Sequence, residues 1–171
     1  NIQNKSFDVA IDMLNKGVGL TSDNKFLLAS FYSNLGDSYH TTKDTGASDQ
    51  AYDKALEYDP DNIYVLNNYS YYLSLRGREL EKARKMSSKT IELEPLFAAA
   101  YNGLGSSYGN LARYEEAVDA FKEAIRLGPN SSEAQFGLGW SYAQLDKYEK
   151  AITPLKIALK KKPRMVIGHF T

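Results

Sequence analysis

Leu104-Gly105-Ser106-Ser107-Tyr108 recurs thirty-four residues later as Leu138-Gly139-Trp140-Ser141-Tyr142, and an earlier copy stands at Leu35-Gly36-Asp37-Ser38-Tyr39. A period in this range means a stacked array of small units, not one compact core. Each unit is too small to bury its own apolar face, so stability comes from its neighbours, and the stack leaves an extended surface free for a partner. The functional question therefore moves from catalytic groups to exposed surfaces.

Working outward with Ala98 as position 1 puts Tyr101 at 4, Leu104 at 7, Gly105 at 8, Tyr108 at 11, Ala117 at 20, Phe121 at 24, Ala124 at 27 and Pro129 at 32. The next unit, from Ser132, supplies Leu138, Gly139, Tyr142, Ala151, Leu155, Ala158 and Pro163, and a unit from Ala29 supplies Tyr32, Leu35, Gly36, Tyr39, Ser48, Tyr52, Ala55 and Pro60. These residues resemble the tetratricopeptide repeat, W-x2-L-G-x2-Y then A-x3-F then P. The unit from Ile63 to Phe97 is divergent, with Ser70 at position 8, Ser87 at 24 and one extra residue in the turn around Arg76-Gly77-Arg78. Upstream, Phe7, Ala10, Leu14 and Gly17 read as the second helix of a preceding unit, joined through Thr21-Ser22-Asp23-Asn24. The expected organisation is one array over residues 1–171: a half unit and connection at 1–28, full units at 29–62, 63–97, 98–131 and 132–165, and the start of another at 166–171.

The residue types explain the frame. Gly or Ser at position 8 and small residues at 20 and 27 let two helices approach, while Leu, Tyr and Phe at 4, 7, 11 and 24 fill the groove between them. Pro at 32 lacks an N–H and disfavours helical geometry in the residue before it, which ends the second helix. Asp61, Asn130 and Ser131 offer oxygens for the next helix start, and Glu133 lies three residues after Asn130 as in a capping box. The expected fold is all-α, an antiparallel helix pair per unit, and the resemblance implies a right-handed superhelical solenoid. Nine of the thirteen tyrosines fall on frame positions and read as packing residues.

Bulk properties narrow the function. Lysines plus arginines equal aspartates plus glutamates at 21 each, so no positive field would gather nucleic acid or anionic lipid. Cysteine is absent, which removes disulfides, thiolate metal sites and Cys nucleophiles and leaves the compartment open. No stretch approaches the roughly 20 apolar residues of a membrane span. The opening Asn-Ile-Gln-Asn reads as an excerpt of a longer protein or a processed form. Lys160-Lys161-Lys162-Pro163-Arg164 is a basic run at the end of a helix, where cations complement the macrodipole.

In tetratricopeptide repeat proteins the first helices line a concave face, and positions 2, 5, 9, 12 and 13 contact peptides; carried over, the resemblance implies a groove of Ser33, Asp37, His40, Tyr64, Asn67, Tyr71, Asn102, Ser106, Asn110, Phe136, Trp140 and Gln144. Carboxamides such as Asn67 and Asn102 offer donor and acceptor to a peptide backbone. Tyr71, Phe136 and Trp140 offer stacking surfaces. An extended, largely uncharged segment of a protein or peptide partner suits this surface. The carboxylate clamp that some co-chaperone members use needs Lys and Arg at set positions; the corresponding residues here include no cation, so nothing would offset desolvation of an anionic tail.

Catalysis has little support, since His40 and His169 are far apart and there is no H-x-x-x-H pair. The expected function is a non-catalytic interaction scaffold without cofactor or metal. Two other readings stand beside it. One is self-association by end-to-end stacking through open repeat ends, since Val166 to Thr171 begin another unit and stop. The other is an engineered or chimeric array joined near Glu94-Pro95, where irregular units meet regular ones, with no native ligand.

Overall fold

The computed structural model describes residues 2–21 and 23–161, with side chains described from residue 7 onward. Val166 to Thr171, His169 and the Lys162-Pro163-Arg164 part of the basic run lie outside the described residues. Those described form helices α1 (Ile2–Leu20), α2 (Lys25–Thr41), α3 (Thr45–Tyr58), α4 (Ile63–Leu75), α5 (Leu80–Leu93), α6 (Ala98–Asn110), α7 (Tyr114–Leu127), α8 (Ser132–Gln144) and α9 (Tyr148–Lys161), with no strand among them. The fold is all-α, with the antiparallel helix pairs that the repeat frame predicts. It divides into two compact units, Asn1–Tyr69 and Ser70–Thr171, the boundary falling inside α4.

Three of the first helices begin on position 1 of the frame: Ile63, Ala98 and Ser132. Helix α2 starts earlier, at Lys25, because Asn24 caps it, its Oδ1 accepting from the Leu27 N–H at 3.1 Å. Helix α6 has no side-chain cap, α4 is capped one residue later than the sequence suggests, and α8 is capped by the second of the two residues offered. Asn62, not Asp61, accepts from the Val65 N–H, and Ser131, not Asn130, accepts from the Ala134 N–H. The capping residue must precede the first helical residue directly for its oxygen to reach the orphan N–H groups of the first turn. Asn130 instead accepts from Lys161 Nζ, through Oδ1 at 2.9 Å.

The turns repeat as faithfully as the helices. An N–H bonds the carbonyl five residues back at Asp44 to Tyr39, Arg78 to Leu73, Arg113 to Tyr108 and Lys147 to Tyr142, as in a Schellman ending. This ending needs one left-handed residue, and position 15 provides it as Lys43, Gly77, Ala112 and Asp146. The extra residue in the divergent unit lengthens its turn to Arg76–Glu79, with Glu79 adding a second positive φ of 45°.

Within each hairpin, position 8 meets position 24. A Cβ on Gly36 would lie 2.5 Å from the Tyr52 ring, one on Gly105 2.8 Å from Phe121, and one on Gly139 2.6 Å from Leu155. These close approaches require glycine. In the divergent unit both partners shrink and become polar together: buried Ser87 donates through Oγ to Ser70 Oγ at 3.1 Å. In Asn1–Tyr69 the core holds Leu28, Leu35, Tyr52 and Tyr69, the last two fully buried and stacked with centroids 5.1 Å apart. In Ser70–Thr171 it holds Ala117, Phe121, Ala124 and Ala134, with Tyr101, Tyr108, Ile125 and Leu138 packed on them. Tyr148 departs from the packing role expected of the frame tyrosines, being exposed at the start of α9.

Candidate peptide-binding surface

In the first unit the groove residues come from α2 and α4. Asp37 Oδ1 accepts from Tyr52 OH at 2.6 Å and from Asn68 Nδ2 at 3.3 Å, and Asn67 Nδ2 donates to Asn68 Oδ1 at 3.3 Å. A carboxylate bonded in this way is held by its own fold, so Asp37 anchors the buried Tyr52 phenol as well as facing the surface. Ser33 and His40 are half-buried on α2, and Tyr64 is exposed on α4.

In the second unit the structure brings six of the sequence-derived residues together. Tyr71, Asn102, Ser106, Asn110, Phe136 and Trp140 line one cavity of about 600 Å³. Gln144, at the exposed end of α8, does not line it. Glycine is what opens this space. Gly105, Gly109 and Gly137 are among its lining residues; where Gly105 and Gly137 carry no side chain the ring of Phe121 becomes part of the wall, and Gly109 faces Trp140. Sequence reasoning placed Phe121 in the core and missed this role, for which the signal was the coincidence of glycine at positions 6 and 8 of facing first helices. The end of α4 and its turn, Leu75 to Gly77, complete the lining.

The polar groups of the cavity differ in what they are free to do. Asn110 Nδ2 donates to the Ser74 carbonyl at 2.7 Å, satisfying one of the last carbonyls of α4, which have no helical donor. The Ser74 hydroxyl in turn meets the Ser107 hydroxyl at 2.7 Å. Asn102 is different: its Oδ1 is buried and has no hydrogen-bond partner. An unmet buried acceptor costs about 1–3 kcal/mol, recovered when a donor arrives. Trp140 packs edge-on to Tyr114, centroids 5.6 Å apart at 77°, and closes over Gly109. It is thus a fixed wall. The charged lining residues are Arg76 and Glu133, one of each sign.

The resolved pKa shifts belong to surface pairs away from this cavity. Arg84 and Arg113 hold Glu81 and Glu116 below the ordinary carboxylate value through hydrogen bonds, and the Glu57 hydrogen bond raises Lys54. Among the described residues no group of three or more His, Cys, Asp or Glu is placed to hold a metal ion, and no helix is long and apolar enough to cross a membrane.

Helix pairs built on one frame, with a cavity formed on their first helices, define a helical-repeat scaffold for protein interaction. Comparison with known proteins gives the family. Tetratricopeptide repeat models match residues 29–62, 51–85 and 102–165, and the chain belongs to the tetratricopeptide repeat family, whose members are generally non-enzymatic. It is 31% identical over 88 residues to small glutamine-rich tetratricopeptide repeat-containing protein 2 of Mycosarcoma maydis, a match covering 52% of this chain and 25% of that protein. The chain therefore spans about a quarter of the length of that relative. Among solved structures it is similar to MamA residues 41 to the end from Desulfovibrio magneticus RS-1, with a TM-score of 0.80 and 17% identity over 96% of this chain and 90% of that one. A second MamA crystal structure gives 0.75 and 21% over 96% and 93%. At these identities the likeness is one of fold.

Proposed function

We propose that this protein holds an extended, uncharged segment of a partner in the cavity of the second unit. The observation that carries the reading is the buried, unpartnered Oδ1 of Asn102 in a cavity walled by Tyr71, Phe121, Phe136 and Trp140. A backbone N–H of the segment donates to Asn102, and an apolar side chain beside it takes the aromatic walls. The balance of Arg76 and Glu133 gives neither an acidic nor a basic tail an advantage. Few anchors of this kind give micromolar affinity, about −8 kcal/mol.

The test is affinity capture from the source cell's lysate on the immobilised chain, with Asn102→Ala and Phe136→Ala forms in parallel. Trp140 is left in place because it supports Tyr114. A partner retained by the parent and lost from both variants, at unchanged helicity, supports the reading. A partner that binds all three equally rules the cavity out.

A further inference from the structure

The chain is neutral as a whole, but its first unit, Asn1–Tyr69, holds five lysines and no arginine against ten aspartates and glutamates. This unit has a cavity of its own, about 440 Å³, lined by α1, α2 and α3. Half-buried Tyr32 and Tyr39 form its floor, and exposed Asn15, Asp53, Lys54 and Glu57 stand at its rim. Both tyrosines are held by neighbours. Tyr32 stacks on Tyr58 with centroids 5.9 Å apart, and the Tyr39 hydroxyl accepts from Asn15 Nδ2 at 3.5 Å. Lys54 pairs with Glu57 at 2.7 Å, so Asp53 leaves the rim one charge negative; on α1, Asp12 and Lys16 cancel each other in the same way. Packing does not demand this sign, because position 25 of the frame, Asp53 here, is Lys122 on α7 and Lys156 on α9.

The second unit shows what a tyrosine at this place takes. Tyr39 is position 11 of its unit, and its counterpart Tyr108 carries the Arg113 guanidinium 4.6 Å from its ring centre. Arg84 of α5 adjoins the same tyrosine, its charge favoured first by Glu81 and then by the Tyr108 hydroxyl. Two of the chain's own arginines thus attend Tyr108, each with a carboxylate: Arg84 with Glu81 at 2.8 Å and Arg113 with Glu116 at 2.7 Å. In the first unit neither has an equivalent. The residue matching Arg113 is Asp44, which caps α3 by accepting from the Ala47 N–H, and the residue that reaches the tyrosine hydroxyl from the preceding helix is Asn15. The tyrosine is kept, a carboxylate stands beside it, and the arginine is missing.

We infer that the first-unit cavity binds an arginine from a basic segment of a partner, with the guanidinium over Tyr39 and its N–H groups on the Asp53 carboxylate. A planar guanidinium stacks on a phenol ring and bonds a carboxylate through two N–H groups at once, which the ammonium of lysine does not. Its apolar stem lies against Tyr32. The surplus of acids in the unit draws a basic segment towards it. A second copy of the chain is a poorer donor, because Arg84, Arg113 and Arg126 are already paired with Glu81, Glu116 and Glu123.

The test titrates the full chain into two dye-labelled peptides, one of alternating glycine and arginine and the other of alternating glycine and lysine, at about 0.15 M salt. Fluorescence anisotropy should give saturable binding of the arginine peptide, at least about five-fold tighter than the lysine peptide. Two variants remove the site by different routes. Asp53→Lys installs the residue that α7 and α9 carry at this position, and Asn15→Arg offers Tyr39 an arginine of the chain itself, as Arg84 does for Tyr108. Each should weaken the arginine peptide by at least about ten-fold, with the circular dichroism spectrum retained. Asp23→Lys makes the same charge change at an acid that does not line the cavity and should leave binding within about two-fold. Equal affinity for both peptides, equal losses in Asp53→Lys and Asp23→Lys, or no saturation below about 1 mM would overturn the inference. So would a solution mass that doubles with concentration in the parent and not in Asp53→Lys, which would give the cavity to a second copy.

Discussion

The Phe121 ring occupies the place where Gly137 has no side chain, and it also packs against Gly105 of its own hairpin. One aromatic side chain thus sets the approach of α6 to α7 and of α7 to α8, and it forms part of the cavity wall. A methyl group on Gly137 has to displace that ring. Overpacking of this kind costs about 1–3 kcal/mol, offset by about 0.5–1 kcal/mol from the better helix propensity of alanine. Gly137→Ala should therefore destabilise the protein by about 1–2 kcal/mol in denaturant melts. A variant as stable as the parent would mean that the ring yields freely and does not fix the helices.

The shared left-handed residue at position 15 gives an opposite prediction. Ala112 holds φ at 56° in a turn where the divergent unit has Gly77 at 62°. A side chain in this region costs about 1–2 kcal/mol, and the greater freedom of glycine in the unfolded chain returns part of that. Ala112→Gly should raise the thermal midpoint, with a gain of about 0.5–1 kcal/mol, while Gly77→Ala should lower it by a similar amount. Both measured in one series give an internal control.

Much of this architecture was legible because the frame constrains residue size. Glycine at 8 with a bulky residue at 24, and Ser70 with Ser87 where both change, follow from the need to keep two helices at one separation. Cap identities were legible only to within one residue, because neighbouring Asp61 and Asn62, or Asn130 and Ser131, are equally good acceptors and the chain's path chooses between them. Six groove residues converge on one cavity. The roles of Asn110 and Asp37 were not legible, since their partners, the Ser74 carbonyl and the Tyr52 phenol, lie many residues away in sequence.

Tyr148 provides a pH test of the α9 start. Its hydroxyl donates to Asp146 Oδ1 at 2.6 Å, and that hydrogen bond, with the carboxylate's charge, raises the phenol above the ordinary tyrosine value. The bond exists only while the phenol is protonated. Its contribution to stability is thus fully present below the ordinary tyrosine pKa and is lost as pH rises through the raised one. NMR titration of the tyrosine ring carbons should find the Tyr148 phenol titrating late and returning to the ordinary range in Asp146→Asn. If the Tyr148 phenol does not titrate late, the bond does not persist in solution.

Pro154 stands inside α9, where the equivalent position on α7 is Ala120 and on α3 is Ala51. Proline has no N–H to offer the Lys150 carbonyl one turn back, and its ring crowds that carbonyl, at a cost of about 3 kcal/mol in a helix interior. The ring is buried, so part of the cost is offset by apolar packing. Replacing it with the alanine of the neighbouring repeats should stabilise the chain by about 1–2 kcal/mol and slow amide exchange along α9. The same variant separates local order from the cavity. Because Pro154 does not line the cavity formed by α4, α6 and α8, Pro154→Ala should leave capture of a cavity-bound partner unchanged. Capture that weakens as α9 stiffens would mean that flexibility at this end is coupled to the binding surface.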